Sequence, residues 1–186
     1  MRLCHNSCSR RGVVPTLYEA NITCTFPDGW EVTKYDDWAF YRNRFSSSCC
    51  GNKGVDFLAY DHENRTLWLI ELKDYRQFRR TKDDTILLSD EMAIKVRDTL
   101  AGIFAAKVDT THPEQPYAAR VLGSTTLRVV LHLEQPQTHS RLYRRAYNPA
   151  SIQQKLKQLL KPIDPHPRVV ELASMDAVPW IADSHP

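Results

Sequence analysis

The chain lacks any long hydrophobic run. No window of its 186 residues approaches eighteen consecutive apolar residues, which excludes a transmembrane helix and with it a membrane partner. It also lacks a large charge of either sign. Twenty-five Lys and Arg stand against twenty-two Asp and Glu, a formal net charge of +3, so neither an acidic solvating tail nor a histone-like polycation is present. No internal repeat and no low-complexity tract is found. A Gly-rich phosphate loop, the helical His pair of a zinc protease and a Ser nucleophile elbow are missing too. Residues 1–12 have no apolar stretch of the secretory kind, so the expectation is a cytoplasmic chain. The cysteines, at 4, 8, 24, 49 and 50, are odd in number and irregular in spacing, which in a cytosol reads as reduced thiols rather than a disulfide framework. Cys4, His5 and Cys8 have the character of zinc ligands, but a second pair at metal-ligand spacing is lacking, since vicinal Cys49 and Cys50 are not a usual one.

What is present fits a soluble globular chain, with 42% apolar and 25% charged residues. A chain of this length buries roughly two-thirds of its unfolded surface and needs no staple to fold. The expectation is one domain over residues 1–186, with residues 1–15 as a basic arm. Residues 17–22 suit one or two helical turns, ended by the turn Pro27-Asp28-Gly29. Residues 30–34 alternate as a strand, while residues 35–45 fit a helix face or a strand equally. Residues 89–108 predict a helix capped by Ser89, with Met92, Val96, Leu100, Ile103, Phe104 and Val108 as its buried stripe. Residues 111–116 read as a loop and residues 126–133 as a strand. A further helix starts at Asn148 or Ser151 and buries Ile152, Leu156, Leu159 and Leu160, and residues 168–172 suit a last strand. This order predicts an α/β fold with a mixed sheet and helices on both faces.

The most informative stretch is a hairpin. Residues 55–60 and 66–73 are apolar at nearly every position, as in strands covered on both faces, and a polar turn separates them. Three ionisable residues stand inside them: Asp56, Glu71 and Lys73. Side chains alternate along a strand, so Glu71 and Lys73 share a face and Leu72 takes the other. Centring the turn between Glu63 and Asn64 places Asp56 directly opposite Glu71. Two carboxylates facing each other at cross-strand distance repel unless positive charge lies beside them. Mg²⁺ (or Mn²⁺) suits that place, because it takes one or two carboxylates plus waters and phosphate. The plainer alternative is a solvated cluster of ion pairs.

Gly54-Val55-Asp56 followed by Ile70-Glu71-Leu72-Lys73 resembles the core of the PD-(D/E)XK nuclease superfamily, with Val55 in place of the usual proline. The resemblance implies a restriction-endonuclease-like αβββαβ core and Mg²⁺-dependent hydrolysis of phosphodiester bonds, in DNA before RNA, in defence, repair or recombination. It implies metal held by Asp56, Glu71 and the backbone carbonyl of Leu72, and a lysine, Lys73, that orients or activates water. A further glutamate is often supplied by the first helix of such proteins, and the candidate here is Glu19, with Asp36 and Asp37 as rivals. Lys95 and Arg97, on the following helix, are candidates for a phosphate contact, and many relatives act as homodimers. A non-cutting member of the same fold that binds nucleic acid or protein is the alternative.

Splitting the charge along the chain sharpens the nucleic-acid reading. Arg76, Arg79, Arg80 and Lys82 follow the hairpin, with Tyr75 and Phe78 among them. Residues 135–163 hold six basic residues, Arg144 and Arg145 included, and no acid. Cations interleaved with aromatics suit phosphate contacts plus base stacking. His62, His132 and His139 read as surface or strand residues.

Overall fold

The structure, a computed structural model, describes residues 14–76, 86–136 and 146–184. Its elements are β1 (Thr16–Glu19), β2 (Ile22–Thr25), β3 (Glu31–Lys34), β4 (Phe57–Asp61), β5 (Thr66–Asp74), α1 (Leu88–Val108), α2 (Gln115–Val121), β6 (Thr126–Glu134), α3 (Pro149–Leu159), β7 (Arg168–Val170) and β8 (Ile181–Ser184). One π-helical turn, Tyr41–Phe45, precedes β4, and a 3₁₀ segment, Leu172–Ala177, precedes β8. The five-stranded sheet runs β3-β4-β5-β6-β7, antiparallel from β3 to β5 and parallel from β5 to β7. A second, antiparallel sheet has the order β1-β2-β8.

The mixed α/β class therefore holds, but the layers differ from expectation. Among the described residues the α-helices cover one face only, where Leu58, Leu67, Leu69, Leu131 and Leu133 meet Met92, Val96, Ile103 and Leu156. The other face, with Phe57, Trp68, Ile70, Leu72 and Val130, packs against Ile22, Cys24 and Ala182 of the small sheet and against Trp180 just before β8. Residues 17–22, expected as helical turns, form the β1–β2 hairpin. Its two-residue turn places Ala20 at a φ of 53°, and Glu19 pairs with Ile22 across it. The alternation that marks β2, Ile22 and Cys24 buried against half-buried Thr23 and Thr25, spans only four residues and gave too little period to read.

Other elements went as expected or failed for identifiable reasons. Residues 111–116 were expected as a loop closed by proline, yet Pro116 sits in the first turn of α2, where its missing N–H costs nothing. Helix α1 starts one residue before Ser89. Its N-cap is Leu87, in extended conformation and with no side chain to cap the first amides. Phe104 and Val108, expected in its buried stripe, are exposed, and so in part is Leu159 of α3. Asn148 caps α3, its Oδ1 accepting from the amides of Ala150 and Ser151 at 3.0 and 3.4 Å. Tyr35 lies across α1, and a Cβ at Gly102 would overlap its hydroxyl, which explains a glycine in mid-helix.

Candidate functional site

The hairpin register puts two carboxylates together. Phe57 pairs with Ile70 and Leu58 with Leu69, as the centred turn predicts, so the next step along brings Asp56 beside Glu71. Both point to the helical face, because Phe57 and Ile70 occupy the opposite one. Strand β4 begins one residue after Asp56, whose side chain takes over a ladder bond: the Leu72 amide donates to Asp56 Oδ2 at 2.7 Å. Helix α1 fixes the approach to β4, since Asp98 accepts from the Lys53 amide and Thr99 from the Val55 amide, both at 3.0 Å.

Two lysines answer the two carboxylates. Lys95 Nζ lies 2.5 Å from Glu71 Oε1 and 3.9 Å from Asp56 Oδ1. Lys73 Nζ lies 2.8 Å from Glu71 Oε1 and 3.9 Å from Glu91 Oε1. Glu71 is almost wholly buried, at 1% exposure. Burial followed by the neighbouring Glu71 charge pushes the Asp56 carboxyl up to about 7, so it exchanges a proton near neutrality. Burial by itself would lower Lys73, but the charge and hydrogen bond of Glu71 outweigh it and hold the ammonium above its ordinary value. Lys95 thus takes the place between the carboxylates that the sequence assigns to a divalent cation.

One oxygen is left over. Glu71 Oε2 is buried without a hydrogen-bond partner, while Oε1 receives both lysines. Among the described residues no group of three His, Cys, Asp or Glu side chains gathers to hold a metal. Asp56 and Glu71, expected to hold Mg²⁺ with the Leu72 carbonyl, are met by Lys95 and Lys73.

The remaining candidates are scattered. Glu19 is ion-paired with Lys34 at 2.5 Å. Lys34 pairs in register with Phe57, on the face away from Glu71. Asp36 carries an unpartnered buried Oδ1, and burial raises its carboxyl, while Asp37 is largely exposed beside Arg42. Arg76, expected to grip a phosphate backbone, spends its Nε and one terminal nitrogen on Asp74, at 2.9 and 2.6 Å. Arg97 bonds Asp98, and Lys95 points inward rather than along the helix edge. Arg79, Arg80, Lys82, Arg144 and Arg145 lie outside the described residues, as do Cys4, His5, Cys8 and most of the arm.

A second buried polar group went unread in the sequence. His132, expected on a surface or strand, is fully buried, with Nε2 2.9 Å from Glu134 Oε1, and the same oxygen accepts from the Leu172 amide at 2.6 Å. The signal was present as His-x-Glu on one face of an apolar strand, which puts both side chains within reach of each other.

No family model and no solved structure matches this chain. A curated relative does. A cysteine--tRNA ligase of Neisseria meningitidis serogroup A is 34% identical over 160 residues, covering 69% of this chain and 22% of the ligase. The chain thus spans about a fifth of the length of the relative it matches. This finding overturns the resemblance to the PD-(D/E)XK nucleases and the metal-dependent nuclease activity drawn from it, along with the hydrolase and endonuclease classes. The pattern Asp-x14-Glu-x-Lys is short, and its physical content is a pair of carboxylates neutralised by lysines, which the geometry of Lys73 and Lys95 supplies without hydrolysis.

Proposed function

We propose that the chain is a tRNA-facing module of an aminoacyl-tRNA-ligase-related enzyme. The carrying observation is the 34% identity with the cysteine--tRNA ligase, over more than two-thirds of the chain and only a fifth of the relative. The partner is then RNA, and DNA has no comparable support. Charge agrees with this: α3 carries Lys155 and Lys157 and no acid, with Lys161 just beyond it. Such cations draw a polyanion by counterion release.

In this reading Asp56, Glu71, Lys73 and Lys95 form the polar centre of the RNA-facing site. The Asp56 carboxyl, at about 7, accepts or donates a proton to a ribose hydroxyl or phosphate brought against it. Lys73, the more exposed of the two ammoniums, is the donor available to an incoming phosphate oxygen.

The test compares tRNA with duplex DNA of similar length, by filter binding at low and moderate salt, with and without Mg²⁺. The expected result is at least about tenfold preference for tRNA, with affinity falling as salt rises. Equal affinity for both, or none for tRNA, overturns the proposal.

A further inference from the structure

Beside the charged centre lies a cavity of about 220 Å³ lined by Leu87, Leu88, Ser89, Tyr147, Ser151, Ile152 and Lys155. It opens between the start of α1 and the start of α3. Its neighbours tie it to the centre: Glu91, one half-turn after Ser89, reaches Lys73, and Tyr75, two residues after Lys73, packs on Tyr147 with ring centroids 5.6 Å apart. The cavity therefore sits past the carboxyl end of β5, where open α/β sheets commonly receive ligands.

Its chemistry is specific. The walls are aliphatic and aromatic, from Leu88, Ile152 and Tyr147. Two hydroxyls stand among them. Ser89, more than nine-tenths buried as a residue, lines the cavity beside Ser151. At the rim is Lys155, on a helix without acids, and the first amides of α1 have no side-chain cap. Both favour an anion at the mouth. Among the described residues, the acids of the first turn of α1 are Asp90 and Glu91; neither lines the cavity, and Glu91 faces Lys73.

We propose that this cavity takes one unpaired nucleobase of an RNA strand, with its phosphate at Lys155. The volume is below the roughly 300–1,000 Å³ of pockets for drug-sized ligands, so it suits one planar group. Apolar walls and an aromatic edge accept the faces of a base, Ser89 and Ser151 meet its polar edge, and Lys155 with the helix terminus meets the charge. An apolar side chain of a partner protein would leave Lys155 unanswered. The inference rests on the RNA-facing reading above and adds where a base is held.

The experiment uses the full chain and a fluorescein-labelled single-stranded RNA oligonucleotide, read by polarisation. A second arm uses the same RNA carrying 4-thiouridine, with cross-linked peptides located by mass spectrometry. Ser151→Trp fills the cavity from an exposed position, Lys155→Glu reverses the rim charge, and Lys157→Glu is the control for general charge. Circular dichroism verifies each fold. Ser151→Trp and Lys155→Glu are each expected to weaken binding about tenfold, within the range of a lost base stack, against about twofold for Lys157→Glu. Cross-links are expected in residues 146–155. If wild type binds RNA while Ser151→Trp binds equally well, or cross-links fall only elsewhere, the cavity inference is overturned and the RNA reading stands. If wild type binds no RNA, the broader reading fails. Should Ser151→Trp misfold, Lys155→Glu against Lys157→Glu and the cross-links decide.

Discussion

Two buried carboxylates sit near the same ends of neighbouring strands, on opposite faces of one sheet. Glu134, at the end of β6, is tied by one oxygen to His132 and to the Leu172 amide, both groups of its own fold. Glu71, near the end of β5, receives two lysines on one oxygen and leaves the other without a partner. The first arrangement is anchored to backbone and holds the 3₁₀ segment onto the sheet. The second is held only by long side chains and has an acceptor to spare. Among the described residues His132 Nδ1 in the first arrangement also lacks a partner, so what sets Glu71 apart is a carboxylate held by ammoniums alone, with a buried oxygen to spare.

The contrast can be broken most severely at Lys95. Lys95→Met leaves Glu71 and Asp56 with one ammonium between them and is expected to destabilise the fold by about 3 kcal/mol in urea denaturation, as for broken buried pairs. Adding Glu71→Gln to Lys95→Met should recover most of that loss. An equal or larger loss in the double variant would show that the two residues do not act as a pair.

Glu134→Ala attacks the other face. It strands the His132 imidazole and the Leu172 amide, and should cost about 2 kcal/mol. Amide hydrogen exchange should rise selectively in residues 172–184, with residues 88–108 unaffected; uniform acceleration would contradict the anchoring role.

A smaller effect separates the two by pH. Burial and Glu71 raise Asp56 from 3.8 to about 7, so the native state holds a proton that the unfolded state has released. That favourable difference is complete below about pH 4 and is lost progressively as pH rises to about 7, with no further change above. In EDTA, Asp56→Asn should flatten the stability slope across this window by about 1–2 kcal/mol, since Lys95 and the partial exposure of the site screen the full shift. An unchanged slope would place the titration elsewhere.

The smallest effect is chemical. Burial pushes the Cys24 thiol up to about 12, while Cys49 and Cys50 are exposed. Iodoacetamide at pH 8 should label Cys49 and Cys50 within minutes and leave Cys24 untouched until denaturant is added, with peptide mass spectrometry as the readout.

The hairpin was legible in the sequence because two apolar strands joined by a polar turn admit one register that keeps both faces covered. A one-residue slip would have turned Asp56 away from Glu71. Helices α1 and α3 were legible from their period and from Asn148. The small sheet was not, because four-residue strands carry too few alternations, and half of its contacts come from β8 near the other end of the described chain. Arg76 and Lys95 were both read as phosphate contacts, yet one is spent on Asp74 and the other on Glu71, partners that spacing did not indicate.

By itself the sequence determined the pairing of Asp56 with Glu71, since strand alternation and turn position are local and leave no freedom. Which charge answers that pair was decided only in three dimensions. Lys95 lies twenty-four positions beyond Glu71 on a separate helix, and its ammonium reaches the carboxylates because Asp98 and Thr99 clamp that helix to the approach of β4. Local geometry sets where a side chain points, and packing sets what it meets there.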